Sequence, residues 1–259
     1  MNLTANQLGE GDFKAVLLVG GFGTRLRPIL PFSPKPLASV GDRSFLELLI
    51  AQLRSHGIRN LVMCTGHLGE QIKEKFGDGR PWGVAIEYSK ELSPLGTAGA
   101  IKLAKKYLQA APEFVVMNGD SFLEVDLCHL IRLHRQHAGL ATMAVVQVKN
   151  VARYGTVDID VEGRVISFSE KAGLDVPGCV NGGVYVFDRS ILEYIPEGPA
   201  SLEKEIFPRI LNHGVYALVA EGMFIDIGTP EDYARAQILH DKLYKIASPG
   251  QENSSVESR

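Results

Sequence analysis

The chain has 259 residues, a formal net charge of −3 and three cysteines, which suits one large α/β domain or two small ones and excludes a bulk nucleic-acid binder with its basic stripe. No apolar run reaches the ~18 residues needed to cross a bilayer, and residues 1–12 lack the apolar core of a signal peptide. Cys64, Cys128 and Cys179 are too scattered for a disulfide framework or a zinc site and fit a reducing cytoplasm.

Residues 15–19 are a short apolar run that predicts a buried strand. The run breaks into Gly20-Gly21-Phe22-Gly23-Thr24-Arg25-Leu26-Arg27, and Pro34-Lys35-Pro36 closes the proline-rich loop that follows. Glycines let the backbone approach a ligand and turn N–H groups toward an anion. Arginine forks and a lysine point charge suit phosphate oxygens, so strand, loop and cations together predict a polyphosphate site. This is not a P-loop, which ends Gly-Lys-Ser/Thr, nor the dinucleotide fingerprint, whose third glycine is replaced by Leu26. The plain alternative is a glycine-rich turn with Arg25 and Arg27 solvated; Arg25 and Lys35 occurring together weigh against it.

Downstream, Ser44 to His56 reads as an amphipathic helix capped by Ser44 and stopped by Gly57. Leu61–Thr65 is a strand, His67–Phe76 a helix and Val84–Tyr88 a strand; this β/α alternation predicts a parallel sheet covered by helices. Pro94-Leu95-Gly96-Thr97 opens a helix over 98–107, which is either a simple helix entry or a second place where backbone N–H groups face a ligand. The strand Phe114–Met117 ends in Asn118-Gly119-Asp120, which puts Asp120 at the rim where open α/β sheets bind ligands and makes it a candidate ligand of a phosphate-bound magnesium. Asp126 caps a helix over 127–137.

From Ala141 the texture becomes antiparallel. Strands are expected over 141–148, 155–159 and 165–168, the last two as a hairpin, and over 180–187, interrupted by Gly182-Gly183. Helices over 189–194 and 201–211 and a strand over 215–219 follow. In Phe224-Ile225-Asp226-Ile227, alternation turns Asp226 away from the isoleucines, and Thr229 caps a helix opened by Pro230 and running to about Tyr244. The organisation is one domain over 13–245, with flexible termini at 1–12 and 246–259.

The polar residues at strand ends, Arg25, Lys35, Asp120, Lys171 and Asp226, suit transfer of a nucleotidyl group between phosphate oxygens, which needs positioning and charge neutralisation rather than a protein nucleophile. Gly-Gly-Phe-Gly-Thr-Arg-Leu-Arg with Pro-Lys-Pro resembles the signature of the sugar-1-phosphate nucleotidylyltransferases, and the likeness runs from Lys14 to Tyr233. The motifs at Asn118–Asp120, Tyr154–Val157, Phe168–Lys171, Asn181–Tyr185 and Phe224–Pro230 are similar to those of the small D-glycero-α-D-manno-heptose-1-phosphate guanylyltransferases. Val19 departs from the family's small residue, a packing difference.

The resemblance implies a three-layer α/β/α, Rossmann-like fold of the GT-A type with a mixed, mostly parallel sheet. It implies that Gly20, Gly21, Gly23, Thr24, Arg25, Gly96 and Gly119 bind the nucleotide. Arg25 would serve the leaving pyrophosphate and Lys35 the reacting phosphates. Asp120 and Asp226 would share Mg²⁺, while Gly155, Glu170, Asn181 and Gly182 would contact the sugar and Lys171 its phosphate. The partners implied are an NTP, GTP favoured, and a sugar 1-phosphate, with room for a homo-oligomer and with no nucleic acid or membrane. The product would be a nucleotide sugar for lipopolysaccharide, capsule or S-layer glycan. Mannose 1-phosphate with GTP, a uridylyl or thymidylyl transfer to a glucose- or muramic-acid-type 1-phosphate, and a non-catalytic nucleotide-sugar-binding subunit remain as alternatives.

Overall fold

A computed structural model describes residues 13–169, 173 and 175–249. The elements run β1 (Lys14–Leu18), β2 (Ser39–Val40), β3 (Arg43–Ser44), α1 (Phe45–Ser55), β4 (Asn60–Thr65), α2 (Gly69–Phe76), β5 (Ala85–Lys90), α3 (Gly96–Leu103), β6 (Glu113–Asn118), β7 (Ser121–Leu123) and α4 (Leu127–His137). They continue with β8 (Ala141–Val148), β9 (Thr156–Ile159), β10 (Val165–Ser169), β11 (Gly178–Asp188), α5 (Ile191–Tyr194), α6 (Phe207–Ile210), β12 (Val215–Ala220), β13 (Phe224–Asp226), α7 (Pro230–Ile238) and α8 (His240–Ala247).

Strands β6, β1, β4 and β5 form a parallel core in that order. β11 adds antiparallel to β6, β8 antiparallel to β11 and β12 parallel to β8, while the β9–β10 hairpin borders the first half of β11. Alternation along each strand feeds two cores. In β1, Ala15 and Leu17 face a layer with Phe45, Leu49, Leu130 and Leu243, whereas Val16 faces Ile101, Leu202, Phe207 and Ile210. Two helical layers thus enclose a mixed, mostly parallel sheet, as the motifs imply.

The local signals act as expected at the caps. Ser44 and Glu47 form a capping box on α1, Asp126 accepts from the His129 N–H at 3.0 Å, and Thr229 accepts from the Asp232 N–H at 3.3 Å. Elsewhere tertiary contacts alter the expected helices. The segment expected as one helix over 201–211 is a π turn (Leu202–Ile206), the single turn α6 and a 3₁₀ turn (Leu211–His213). Pro208 lacks an N–H, and the preceding turn widens so that Glu205 and Ile206 both donate to the Ser201 carbonyl. The last helix breaks at Leu239, where the His240 ring packs on Gly41 and places Nδ1 2.7 Å from the Gln237 carbonyl.

His134 of α4 is buried, its Nδ1 3.0 Å from the Thr142 hydroxyl of β8. Burial pushes its pKa below the ordinary value, Arg135 pushes the same way, and Glu113 and Asp188 oppose. Because the folded pKa lies below the unfolded one, the stabilisation is present above the unfolded pKa of ~6.5 and is lost as pH falls toward the folded value. Urea midpoints measured from about pH 8 to about pH 5 should fall more steeply for the wild type than for His134→Gln. Equal slopes would contradict this.

Candidate active site

β1 lies at the point where the parallel order reverses: the chain passes from β1 to β4 and β5 on one side, then returns to β6 on the other. The carboxyl ends of such a pair of strands form a crevice, the place where open α/β sheets bind ligands. A cavity of about 430 Å³ opens there. Gly20, Gly21, Gly23, Thr24, Arg25, Gly96 and Gly119 all line it, together with Lys35 and Asp120.

After β1 the glycine loop makes a single 3₁₀ turn, Thr24–Leu26, entered from Gly23 in the left-handed region at φ 57°. A Cβ on Gly23 would lie 3.2 Å from the Lys35 Cβ, so the loop rests on the lysine stem. At Gly119 a Cβ would lie 2.6 Å from the Leu18 carbonyl oxygen and 2.7 Å from a Val19 methyl. The bulk of Val19 is thus accommodated by a glycine on the neighbouring strand end.

Two three-residue strands outside the main sheet bring the carboxylates together. β13 pairs antiparallel with β7, setting Asp226 opposite Ser121, and the Ile227 N–H donates to the Asp120 carbonyl at 3.0 Å. The Lys35 ammonium donates to Asp120 Oδ2 at 2.6 Å and stands 3.8 Å from Asp226 Oδ1. Arg25 reaches the same cluster over Gly228, where a Cβ would lie 3.2 Å from the guanidinium and 2.8 Å from Asp226 Oδ1. Burial and the Asp120 charge push the Asp226 carboxyl above its ordinary pKa, with Lys35, the Gly228 N–H and Arg25 acting against them.

Among the described residues, Asp226 Oδ1, Asn118 Oδ1 and Ser121 Oγ are buried without hydrogen-bond partners. A free carboxylate oxygen beside a second carboxylate fits a hard divalent cation completed by substrate phosphates and water. Among the described residues no group of three or more His, Cys, Asp or Glu could hold a metal by itself.

Of the residues expected to contact the sugar, Asn181 donates its N–H to the Gly155 carbonyl at 3.0 Å, which joins these two residues. Asn181 Nδ2 donates to the Tyr185 hydroxyl at 2.7 Å and its Oδ1 accepts from the Gly183 N–H at 3.1 Å. Gly182 is buried, and a Cβ on it would lie 2.5 Å from a Leu123 methyl. The glycine pair shifts the register of β11 against β8 between Asn181 and Val184. Glu170 and Lys171, like residues 1–12 and 250–259, lie outside the described residues. A second cavity of about 930 Å³ has Asp226, Phe224, Tyr154, Lys149, Arg235 and Lys242 among its lining residues.

Two of the first four N–H groups of α3 are taken up within the fold. The N–H groups of Ala98 and Gly99 both donate to the Ala200 carbonyl, at 3.0 and 3.2 Å. Sequence reasoning overlooked Glu91, which also lines the smaller cavity. It also overlooked the β7–β13 pair, whose three-residue strands are too short to show a period.

A family model described as nucleotidyl transferase matches residues 14–242. The chain is 36% identical over 236 residues to the mannose-1-phosphate guanylyltransferase catalytic subunit beta of Drosophila pseudoobscura pseudoobscura, covering 90% of this chain and 63% of that protein. It is 37% identical over 225 residues to the mannose-1-phosphate guanylyltransferase of Mycobacterium tuberculosis (strain ATCC 25618 / H37Rv), covering 85% and 62% respectively. The chain thus spans less than two thirds of the length of these curated relatives. The fold superposes on HddC from Yersinia pseudotuberculosis with a TM-score of 0.79 at 33% identity, covering 88% of this chain and 99% of that one. HddC has also been crystallised complexed with GMP-PN.

Gly96 has φ 68°, and a Cβ there would lie 2.5 Å from the Ala200 carbonyl oxygen. Gly96→Ala should therefore lose more than about 1 kcal/mol of stability. Urea denaturation checks this, and a midpoint equal to wild type would contradict the close approach.

Proposed function

The chain belongs to the nucleotidyl transferase family, and on that footing we propose that it transfers a guanylyl group from GTP to a sugar 1-phosphate. The observation that carries the reading is the cluster of Lys35, Arg25, Asp120 and Asp226 beside the glycine loop. GTP as donor is supported by the relatives named as guanylyltransferases and by the GMP-PN complex of HddC.

A phosphate oxygen of the sugar 1-phosphate attacks the α-phosphorus of GTP in line. The bond from that phosphorus to the oxygen bridging to the β-phosphate breaks, and pyrophosphate leaves. The acceptor is already an anion, so the chain's task is to align two polyanions and neutralise their charge. The loop Gly20, Gly21, Gly23, Thr24, with Gly96 and Gly119, holds the nucleotide by close backbone approach. Arg25 neutralises the departing pyrophosphate, and Lys35 transfers its charge from the carboxylates to the reacting phosphates. Asp120 and Asp226 would hold Mg²⁺, which supplies charge neutralisation at the α-phosphate when bound.

The sugar is assigned to the other side of Asp226, toward Tyr154. Gly155, Asn181, Gly182 and Glu170 serve its hydroxyls, and Lys171 its phosphate. Mannose 1-phosphate is supported by the names of the curated relatives. D-glycero-α-D-manno-heptose 1-phosphate is supported by the motif resemblance and by the near-complete coverage of HddC. The two share the manno ring, the heptose carrying one further carbon.

Pyrophosphate release from each of GTP, ATP, UTP and dTTP, against mannose, heptose and glucose 1-phosphates with Mg²⁺, tests the assignment. GTP with one of the manno sugars should give turnover; turnover with UTP or dTTP and none with GTP would overturn the guanylyl reading. Asp120→Asn and Asp226→Asn should each lower kcat by about 10²–10³-fold. Near-wild-type rates in both would dismiss a shared cation.

A further inference from the structure

Ser121 opens β7 and is only 6% exposed. It stands across from Asp226 in the β7–β13 pair. Backbone bonds join Ile227 to Asp120 on one side of this position and Glu124 to Met223 on the other, so Ser121 and Asp226 fall between the hydrogen-bonded positions of the ladder. Such a pair is the closer kind, with Cα atoms about 4.5 Å apart and side chains on one face. Asn118 reaches the same place from the end of β6. Gly183 marks the meeting point: its φ is 74°, and a Cβ on it would lie 2.5 Å from Ser121 Oγ and 3.0 Å from Asn118 Nδ2. The glycine pair in β11 therefore makes room for a hydroxyl and an amide beside Asp226.

Among the described residues, Ser121 Oγ, Asn118 Oδ1 and Asp226 Oδ1 are buried with no protein hydrogen-bond partner. Leaving such atoms unpaired costs stability, and three of them at one spot point to a species that joins them. They cannot satisfy one another. The carboxylate and amide oxygens only accept, and Ser121 has a single proton to give. The Lys35 ammonium bonds Asp120 and stands 3.8 Å from Asp226 Oδ1. The set calls for a donor with two protons. A hard divalent cation held by one or two carboxylates keeps several of its waters, and a water so bound turns its lone pair to the metal and both protons outward.

We propose that Ser121 and Asn118 are positioning residues for the cation assigned to Asp120 and Asp226. The Ser121 hydroxyl donates to Asp226, and Ser121 Oγ and Asn118 Oδ1 accept from water that the cation carries. This rests on the shared-cation reading and extends it from the two carboxylates to the neutral groups around them. Partners of this kind orient the ligands of a metal and are worth about 10- to 100-fold in its affinity.

The test is the dissociation constant for Mn²⁺, read by electron paramagnetic resonance on the full chain with a non-hydrolysable GTP analogue bound, together with melting temperatures in EDTA. Asp226→Asn should weaken Mn²⁺ strongly. Ser121→Ala should weaken it by about 10-fold or more, yet melt in EDTA no lower than the wild type, because the change removes an unpaired polar atom from the metal-free fold. Asn118→Asp should bind Mn²⁺ more tightly, a charge replacing a neutral acceptor. It should also melt lower in EDTA, where a third carboxylate joins Asp120 and Asp226. Wild-type Mn²⁺ affinity in either Ser121→Ala or Asn118→Asp, or a melting temperature of Ser121→Ala in EDTA well below the wild type, would overturn the proposal while leaving the shared cation standing. Wild-type Mn²⁺ affinity in Asp226→Asn would overturn the shared cation itself.

Discussion

The structure depends on holding two carboxylates, Asp120 and Asp226, close together in a partly buried crevice. Burial first, and the neighbouring Asp120 charge second, push the Asp226 carboxyl above its ordinary pKa. Lys35 is drawn in to offset it, bonded to one carboxylate and within ion-pair distance of the other, with only 9% of its side chain exposed. The glycine loop packs on that lysine, Gly228 stays small so that Arg25 can join, and β13 must close on β7 to deliver Asp226. Loop, lysine and the last strand are therefore one electrostatic unit. Asp120 and Asp226 would hold a divalent cation arriving with a polyphosphate, and Lys35, which bonds Asp120 in its absence, would then be free to meet phosphate.

The cavity is also polar along its length. Cations and carboxylates lie where β6 and β13 end, while Glu91, hydrogen-bonded to the Leu95 N–H, lies at the end of β5. A ligand with a polyanionic tail and a donor-bearing head has one favourable orientation in such a field. The same sheet order that forms the crevice sets that orientation, since β1 with its glycine loop lies between the two ends.

Much of this was legible in the sequence because it is local. The run ending in Gly20-Gly21-Phe22-Gly23 announces a strand and a loop, Ser44 and Asp126 announce helix starts, and alternation around Asp226 turns it away from the core. What was not legible is what depends on distant partners. Nothing near Asp226 reveals that it pairs with Ser121, because the two strands are three residues long and their register is set across the fold. The N–H groups of Ala98 and Gly99 in the first turn of α3 donate to Ala200, a hundred residues on, which no local pattern reveals. Glu91 carries no local signal in the sequence; the fold brings Gly20 and Gly66 against its carboxylate and places it in the cavity wall. The break at Leu239 has the same origin, a histidine ring meeting Gly41.

Anomalous diffraction separates the two placements of Lys35, on a carboxylate and on a phosphate. Crystals would be grown with Mn²⁺, a non-hydrolysable GTP analogue and mannose 1-phosphate. The expected result is an anomalous peak beside the Asp120 and Asp226 carboxylates, with the Lys35 ammonium on a phosphate oxygen. A manganese bound away from both aspartates, with Lys35 still on Asp120, would contradict it.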